Sequence, residues 1–183
     1  WVMVPDAVAW SVVATPALRA LASVFDETVV LTTRTGVLSR VVAVVESTRP
    51  LRVGVRVGTS WPAHRTAGGL VLLAGLPDTA VRELYATPRP DWHEDPPPSV
   101  ELLNTLDAIR HQGFALDVGL WERGVVSIAY RVRDADGATA AAVSLDLAQA
   151  RFAPGLLRPM LAGLKHAARA VEADRTGPVA AAG

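Results

Sequence analysis

Apolar residues recur along this chain with two different periods, and the switches between them divide it into elements. Leu18, Leu21, Ala22 and Phe25 follow helical spacing, with Thr15 suited to an N-cap and Pro16 to a first helical position. The spacing predicts a helix over 15–25, preceded by a linker over 1–14. The runs 28–33, 41–45 and 51–57 are rich in β-branched residues and separated by Gly or Pro, which predicts three strands in a meander. Residues 66–74 read as a helix, Asp78 can cap another to about 86, and Ser99 a third that stops near Gly113. Leu102, Leu103, Leu106 and Ile109 would line the buried side of the third. A last helix over about 154–173 carries Leu156, Leu157, Met160, Leu161, Leu164, Ala168 and Val171 on one stripe, with Arg151, Arg158, Arg169 and Glu172 on or near its solvated side.

Two further runs, 124–132 and 138–147, flank Arg133-Asp134-Ala135-Asp136-Gly137, a β-hairpin signal. Side chains alternate across a strand, so Val126, Ile128, Tyr130 and Val132 share one face and Ala141, Val143, Leu145 and Leu147 another. Only a register that brings these faces together buries both. The opposite face then gathers Ser127, Ala129, Ala140, Ala142, Ser144 and Asp146, small residues that leave room for a pocket or form a wet sheet surface.

Composition narrows the function classes. At 183 residues the chain suits one domain, able to bury a core without metal or disulfide. Eighteen basic and eighteen acidic residues give no net charge, so no electrostatic footprint for nucleic acid is present. The absence of cysteine fits a reducing compartment, here the cytoplasm. The apolar stretch 1–13 is broken by Pro5 and Asp6 and lacks a basic leader, so neither a membrane span nor a signal peptide is expected. Residues 87–98 form a proline-rich loop, and 176–183 a flexible tail.

Candidate chemistry is sparse. His93, Glu94 and Asp95 are adjacent and lack a second cluster at ligand spacing, so no metal site is expected. No Gly-x-Gly-x-x-Gly or phosphate loop is present, and no cofactor is expected. Ser127 or Ser144 with His64 and Asp117 supply the residue types of a hydrolytic triad, but neither serine lies in a nucleophile elbow, and an enzyme is not expected. Ala67-Gly68-Gly69 opens a helix whose first N–H groups lack intrahelical partners, and glycine there either lets a ligand approach or lets the helix lie tightly on the sheet. Trp61, just before it, is either a core plug or a pocket wall.

Glu46-Ser47, Pro50-Leu51-Arg52, the stretch 58–74 with Pro62, His64, Thr66, Ala67, Gly69 and Leu72-Leu73-Ala74, then Ile109-Arg110, 112–117 and 124–129 occur in an order that closely resembles the effector-binding domain of IclR-type transcriptional regulators, over about 15–172. The resemblance implies an α/β (α+β) GAF-like domain over 15–175, with a curved, mainly antiparallel sheet flanked by helices. It implies a small-molecule effector, an organic acid or aromatic metabolite, and a homodimer or homotetramer. DNA would be bound only through an absent N-terminal winged helix-turn-helix domain. The family's ligand positions carry over onto Val53, Trp61, Ala67, Gly68, Asp117, Val125, Ser127, Ser144 and Asp146. Backbone amides of Ala67 and Gly68 with the Ser127 and Ser144 hydroxyls would hold a polar end, and Trp61, Val53 and Val125 would cover the apolar part.

The chain departs from the family pattern at Leu70, where the family has Lys, at Leu120, where it often has Glu, at Arg131, where it has Pro, and around Asp146-Leu147-Ala148, where it ends in Ser-Gly-Pro. An ionised, unpaired Asp146 would repel an anion, which favours a neutral, aromatic or amine-bearing ligand. The competing expectation is a pure dimerisation or interaction domain whose pocket is filled by its own side chains, Trp61 among them.

Overall fold

The computed structural model describes residues 5–86 and 100–176. Its centre is a six-stranded, wholly antiparallel sheet of order β3-β2-β1-β6-β5-β4, built from β1 (Thr28–Thr35), β2 (Leu38–Val45), β3 (Ser60–Pro62), β4 (Phe114–Val118), β5 (Val125–Arg133) and β6 (Thr139–Ala148). The β5–β6 hairpin has the register that the alternation demands: Val126 faces Leu147, Ile128 faces Leu145, Tyr130 faces Val143 and Val132 faces Ala141. Asp134 closes its turn by accepting from the amides of Asp136 and Ala138. Register shifts after Leu31 and after Val132 each insert a residue, which bends the strands. The first makes Val41, Val42 and Ala43 all buried in succession, against strict alternation.

Helices cover both faces. On one, α1 (Pro5–Phe25) and α5 (Leu157–Thr176) pack Leu18, Leu21, Met160, Leu164 and Val171 onto Val29, Leu31, Ile128 and Leu145, a closed apolar core. On the other, α2 (Ala67–Ala74), α3 (Asp78–Leu84) and α4 (Val100–Gln112) form a second core in which Leu72, Leu73, Leu103, Leu106 and Ile109 meet Ala115, Ala129 and Ala142. Arg110 links the three helices of this layer, donating to the carbonyls of Ala74 (3.0 Å) and Leu76 (2.9 Å) and pairing with Asp78 at 2.8 Å.

Several expectations are corrected. Residues 5–14 are helical rather than linker, with Pro5 at the start and Pro16 in the interior. Packing outweighs the amide lost at Pro16, because Trp10, Ala14, Ala17 and Leu18 are all buried along one side. Residues 51–57 form no strand; the place beside β2 is taken by β3, with Val41 donating to Thr59 and accepting from Gly58. Asp78 is the first residue of α3, not its cap, and makes the ion pair with Arg110 instead. Leu156 lies in a short turn before α5 and is 37 % exposed. Arg151 and Glu172 are not merely solvated: Glu172 accepts from the Arg133 amide, and Arg151 pairs with buried Glu27. The loop 87–98 with His93, Glu94 and Asp95, the Ser99 cap and the tail beyond 176 lie outside the described residues.

Candidate ligand site

Strand register assembles the site. Asp117, Ser127, Asp146 and Thr28 form one row across β4, β5, β6 and β1, and Ala129, Ser144 and Val30 form the next. These side chains are small or polar, so they leave space beside the start of α2 that no side chain fills. Between them lies a cavity of about 290 Å³, near the lower end for small-molecule sites. All nine candidate residues line it: Val53, Trp61, Ala67, Gly68, Asp117, Val125, Ser127, Ser144 and Asp146.

The roof is the segment 51–57, which is held by side chains in place of a strand ladder. Thr28 Oγ1 donates to the Val53 carbonyl at 2.7 Å, and Arg151 Nη1 to the Leu51 carbonyl at 3.1 Å. Arg151 also grips Glu27 with two bonds of 2.6 and 2.7 Å; Glu27 is only 3 % exposed, so this buried carboxylate is matched by a fork of N–H donors. The base of the roof is fixed at Asp26, a non-glycine residue at φ +47° that ends α1. Its carboxylate accepts from the Thr48 amide and hydroxyl, both at 2.9 Å, and the Thr48 bonds together with nearby Arg49 and Ser47 hold its pKa below the ordinary value.

At the start of α2, Thr66 accepts from the Gly69 amide at 3.1 Å and its own hydroxyl meets that of Ser39 at 3.1 Å. The two glycines fit because nothing larger would. A Cβ on Gly68 would stand 2.7 Å from Thr32 Oγ1, and one on Gly69 2.2 Å from the Ala63 carbonyl oxygen. Close packing therefore explains both, while Gly68 also borders the cavity.

Two carboxylates in the floor behave differently. Asp117 is 5 % exposed and accepts from the amides of Leu120 (2.8 Å) and Trp121 (3.3 Å), so it shapes the turn that carries Trp121 into the wall. Asp146 accepts from the Ser127 hydroxyl at 2.5 Å. Burial pushes its carboxyl up to about 6; the Ser127 and Ser144 hydroxyls pull it back, and the charge of Asp117 adds to the rise.

Trp61 is half-buried and stands in the wall, edge-to-face with Trp121 at 5.6 Å; it does not plug the cavity. The expectation of a self-filled pocket is therefore not met. His64 lies outside the lining and shares a 3.3 Å hydrogen bond with the Tyr85 hydroxyl. Burial, with Arg65 beside it, pushes His64 down to about 4. The serines instead engage Asp146, so Ser127 and Ser144 are not joined to His64 and Asp117 as a relay. Among the described residues no cluster of metal-binding side chains occurs.

Sequence reasoning missed Val30, Thr32, Ser39, Val55, Trp121 and Glu122 in the lining. Parity along β1 would have found Val30 and Thr32, since Val29 and Leu31 point to the closed core. Nothing local marks Trp121, which reaches the wall through the Asp117 turn.

The comparisons agree with this architecture. The family model described as the bacterial transcriptional regulator IclR C-terminal domain matches residues 8–173. The HTH-type transcriptional regulator TtgV of Pseudomonas putida is 35 % identical over 114 residues, which is 62 % of this chain and 44 % of that protein. The chain thus spans less than half the length of that relative. The crystal structure of the C-terminal domain of E. coli KdgR superimposes with a TM-score of 0.76 at 28 % identity, covering 89 % of this chain and 96 % of the other. An IclR homologue from Microbacterium hydrocarbonoxydans, crystallised with 4-hydroxybenzoate, shares the fold with a TM-score of 0.78 at 22 % identity, over 92 % and 69 % of the two chains. On sequence and fold together, this chain belongs to the IclR family of bacterial transcriptional regulators, as their C-terminal domain.

Proposed function

We propose that the cavity is the effector site of a transcriptional regulator. A small organic acid or aromatic metabolite enters between the sheet and the 51–57 roof, its polar end held by the amides of Ala67 and Gly68 and the hydroxyls of Ser127 and Ser144. Val53, Trp61 and Val125 cover its apolar part, and Asp117 and Asp146 set the charge of the floor. The observation that carries this is the cavity itself, bounded by the open face of the sheet, the start of α2 and the side-chain-anchored segment 51–57. That the Microbacterium protein holds a one-ring molecule supports a ligand of this size.

The roof starts where α1 ends, through Asp26 and Thr48. A ligand that presses on the roof therefore acts on α1, and through it on how copies of the domain, residues 15–175 with the earlier turns of α1, pack as a homodimer or homotetramer. An N-terminal winged helix-turn-helix domain then reads DNA in the cytoplasm. The ligand shifts this arrangement only by as much as its affinity differs between the two packings.

Thermal melting against a panel of small acids, phenols, aromatic compounds and amines tests the proposal, because a ligand that binds only the folded state raises the midpoint. The expected result is a saturable rise with one class, lost in Ser144→Leu at a stability change below about 1 kcal/mol, since an open cavity accepts the added side chain without overpacking. No rise with any class, together with a Ser144→Leu cost of about 1–3 kcal/mol, would replace the proposal with a ligand-free dimerisation domain.

A further inference from the structure

The cavity is electrostatically one-sided. Asp117, Glu122 and Asp146 line it, and none of the lining residues is a lysine, arginine or histidine. The carboxylates differ in how far they are satisfied. Asp117 is engaged by two backbone amides. Asp146 receives hydroxyls from Ser127 and Ser144 only, and an ionised carboxylate has room for about four donors. Among the described residues no cation pairs with it, and its neighbour across Ser127 is a second acid, Asp117. Opposite this floor the walls are apolar: Trp61 and Trp121, with Val53, Val55 and Val125.

A ligand anion would meet like charge in a poorly solvated space, where Coulomb energies are larger than in water. A cation would find the missing counter-charge, open acceptor sites and aromatic faces that attract it. Resting on the reading of the cavity as a ligand site, we propose that it selects a one-ring amine, with the ammonium group donating to Asp146 and the ring lying against Trp61 and Trp121.

The charged groups around Asp146 define what pH will do. From β4 comes Asp117, from the turn after it Glu122, and from the turn before α2 Arg65, whose guanidinium lies 5.5 Å from the Trp121 ring centre. The roof contributes Val53, Gly54 and Val55 to the lining, none titratable, while its Arg52 and Arg56 are exposed. Protonation of Asp146, centred near pH 6, removes the counter-charge.

Calorimetric titration of the chain with 4-hydroxybenzylamine, 4-hydroxybenzyl alcohol and 4-hydroxybenzoate at pH 7.5 separates the ligand classes on one ring. The expected order is amine, alcohol, carboxylate, with the amine at least about tenfold tighter than the alcohol, and with its advantage shrinking between pH 7 and 5. Asp146→Asn should lower the ratio of amine to alcohol affinity to about one, a change in selectivity that a merely structural role for Asp146 would not produce. Tightest binding by 4-hydroxybenzoate, equal binding of amine and alcohol, an unaltered amine affinity in Asp146→Asn, or no binding of any of the three each overturns amine selection. Tightest binding by the alcohol or the carboxylate, lost in Ser144→Leu, would overturn the ligand class while leaving the effector site standing. Silence across the whole wider panel would remove both.

Discussion

The two faces of the sheet are made by the same strands, yet one is solid and the other hollow. Leu145 and Ser144 are neighbours on β6; the first is fully buried among α1 and α5, and the second borders the cavity. Toward α1 and α5 the strands present Val29, Leu31, Ile128, Leu145 and Leu147; toward α2 they present Val30, Thr32, Ala129, Ser127 and Ser144. Side-chain volume alternating with a period of two is enough to place a cavity on one side of a sheet, provided something roofs it. The comparison also separates two kinds of surface: the closed face is packed throughout, and the other face, beside its own apolar core, leaves room for polar groups.

Truncations at adjacent positions should expose that division. Leu145→Ala is expected to cost about 3–4 kcal/mol in urea-induced unfolding, through lost burial and a new cavity. Ser144→Ala should cost no more than about 1 kcal/mol, the value of one hydrogen bond beside space that already exists. Equal losses would mean that the open face is packed as tightly as the closed one.

At the helix start, Gly69→Ala is expected to cost about 3 kcal/mol, since its Cβ would meet the Ala63 backbone, which cannot turn aside. Gly68→Ala meets a hydroxyl, and should cost about 1–2 kcal/mol. Thr32→Ala in the same chain should relieve the Gly68 substitution and leave the Gly69 one unrelieved, a double-mutant cycle that locates how closely α2 lies on the open face.

Releasing the roof is the third way to disturb the contrast. Arg151→Ala leaves Glu27 buried with only Arg49, 3.8 Å away, as a cation. The expected loss is about 2–3 kcal/mol, below that for a wholly isolated buried charge, with faster amide exchange over 51–57 than over β6.

The smallest effect is in the pH dependence. Asp146 has a folded pKa raised to about 6, above the unfolded value near 3.9, so the folded state binds the extra proton between these values. Its contribution makes the fold less stable as pH rises from about 4 to 6. His64, lowered to about 4, acts in the opposite sense: its neutral form stabilises above about 6.5, and that stability is lost as pH falls toward 4. The two slopes oppose each other in one window. Asp146→Asn should therefore leave stability rising more steeply with pH from 4 to 6 than in the parent chain, by about 1–2 kcal/mol across the window, because the carboxyl opens onto a cavity and is partly solvated. His64→Gln should flatten or invert the profile. Identical profiles for parent and Asp146→Asn would show that the open face is as wet as bulk solvent.

Much of this was legible beforehand for a physical reason. Hairpin register follows from alternation, because a one-residue slip would expose every apolar side chain of β5 and β6. The site residues on those strands follow from the same parity, and the helices α2 and α4 from apolar spacing. The roof was misread because Leu51, Val53, Val55 and Val57 alternate with Arg and Gly as a strand would, whereas Leu51 is 69 % and Val57 60 % exposed. Alternation reports which residues could share a face; it does not report whether a neighbouring strand is free to receive them, and here β3 already holds that edge.

Sequence alone thus determined the helices from residue 15 onward, the strands β1, β2, β5 and β6, the hairpin register and the small-residue face, since these depend on propensities and periods that act over a few residues. The tertiary structure alone decided that α1 runs through Pro16, that Arg151 and Glu27, 124 positions apart, clamp the roof, and that Trp121 and Glu122 complete the wall. Those outcomes rest on long-range burial and charge pairing, whose partners no local pattern names.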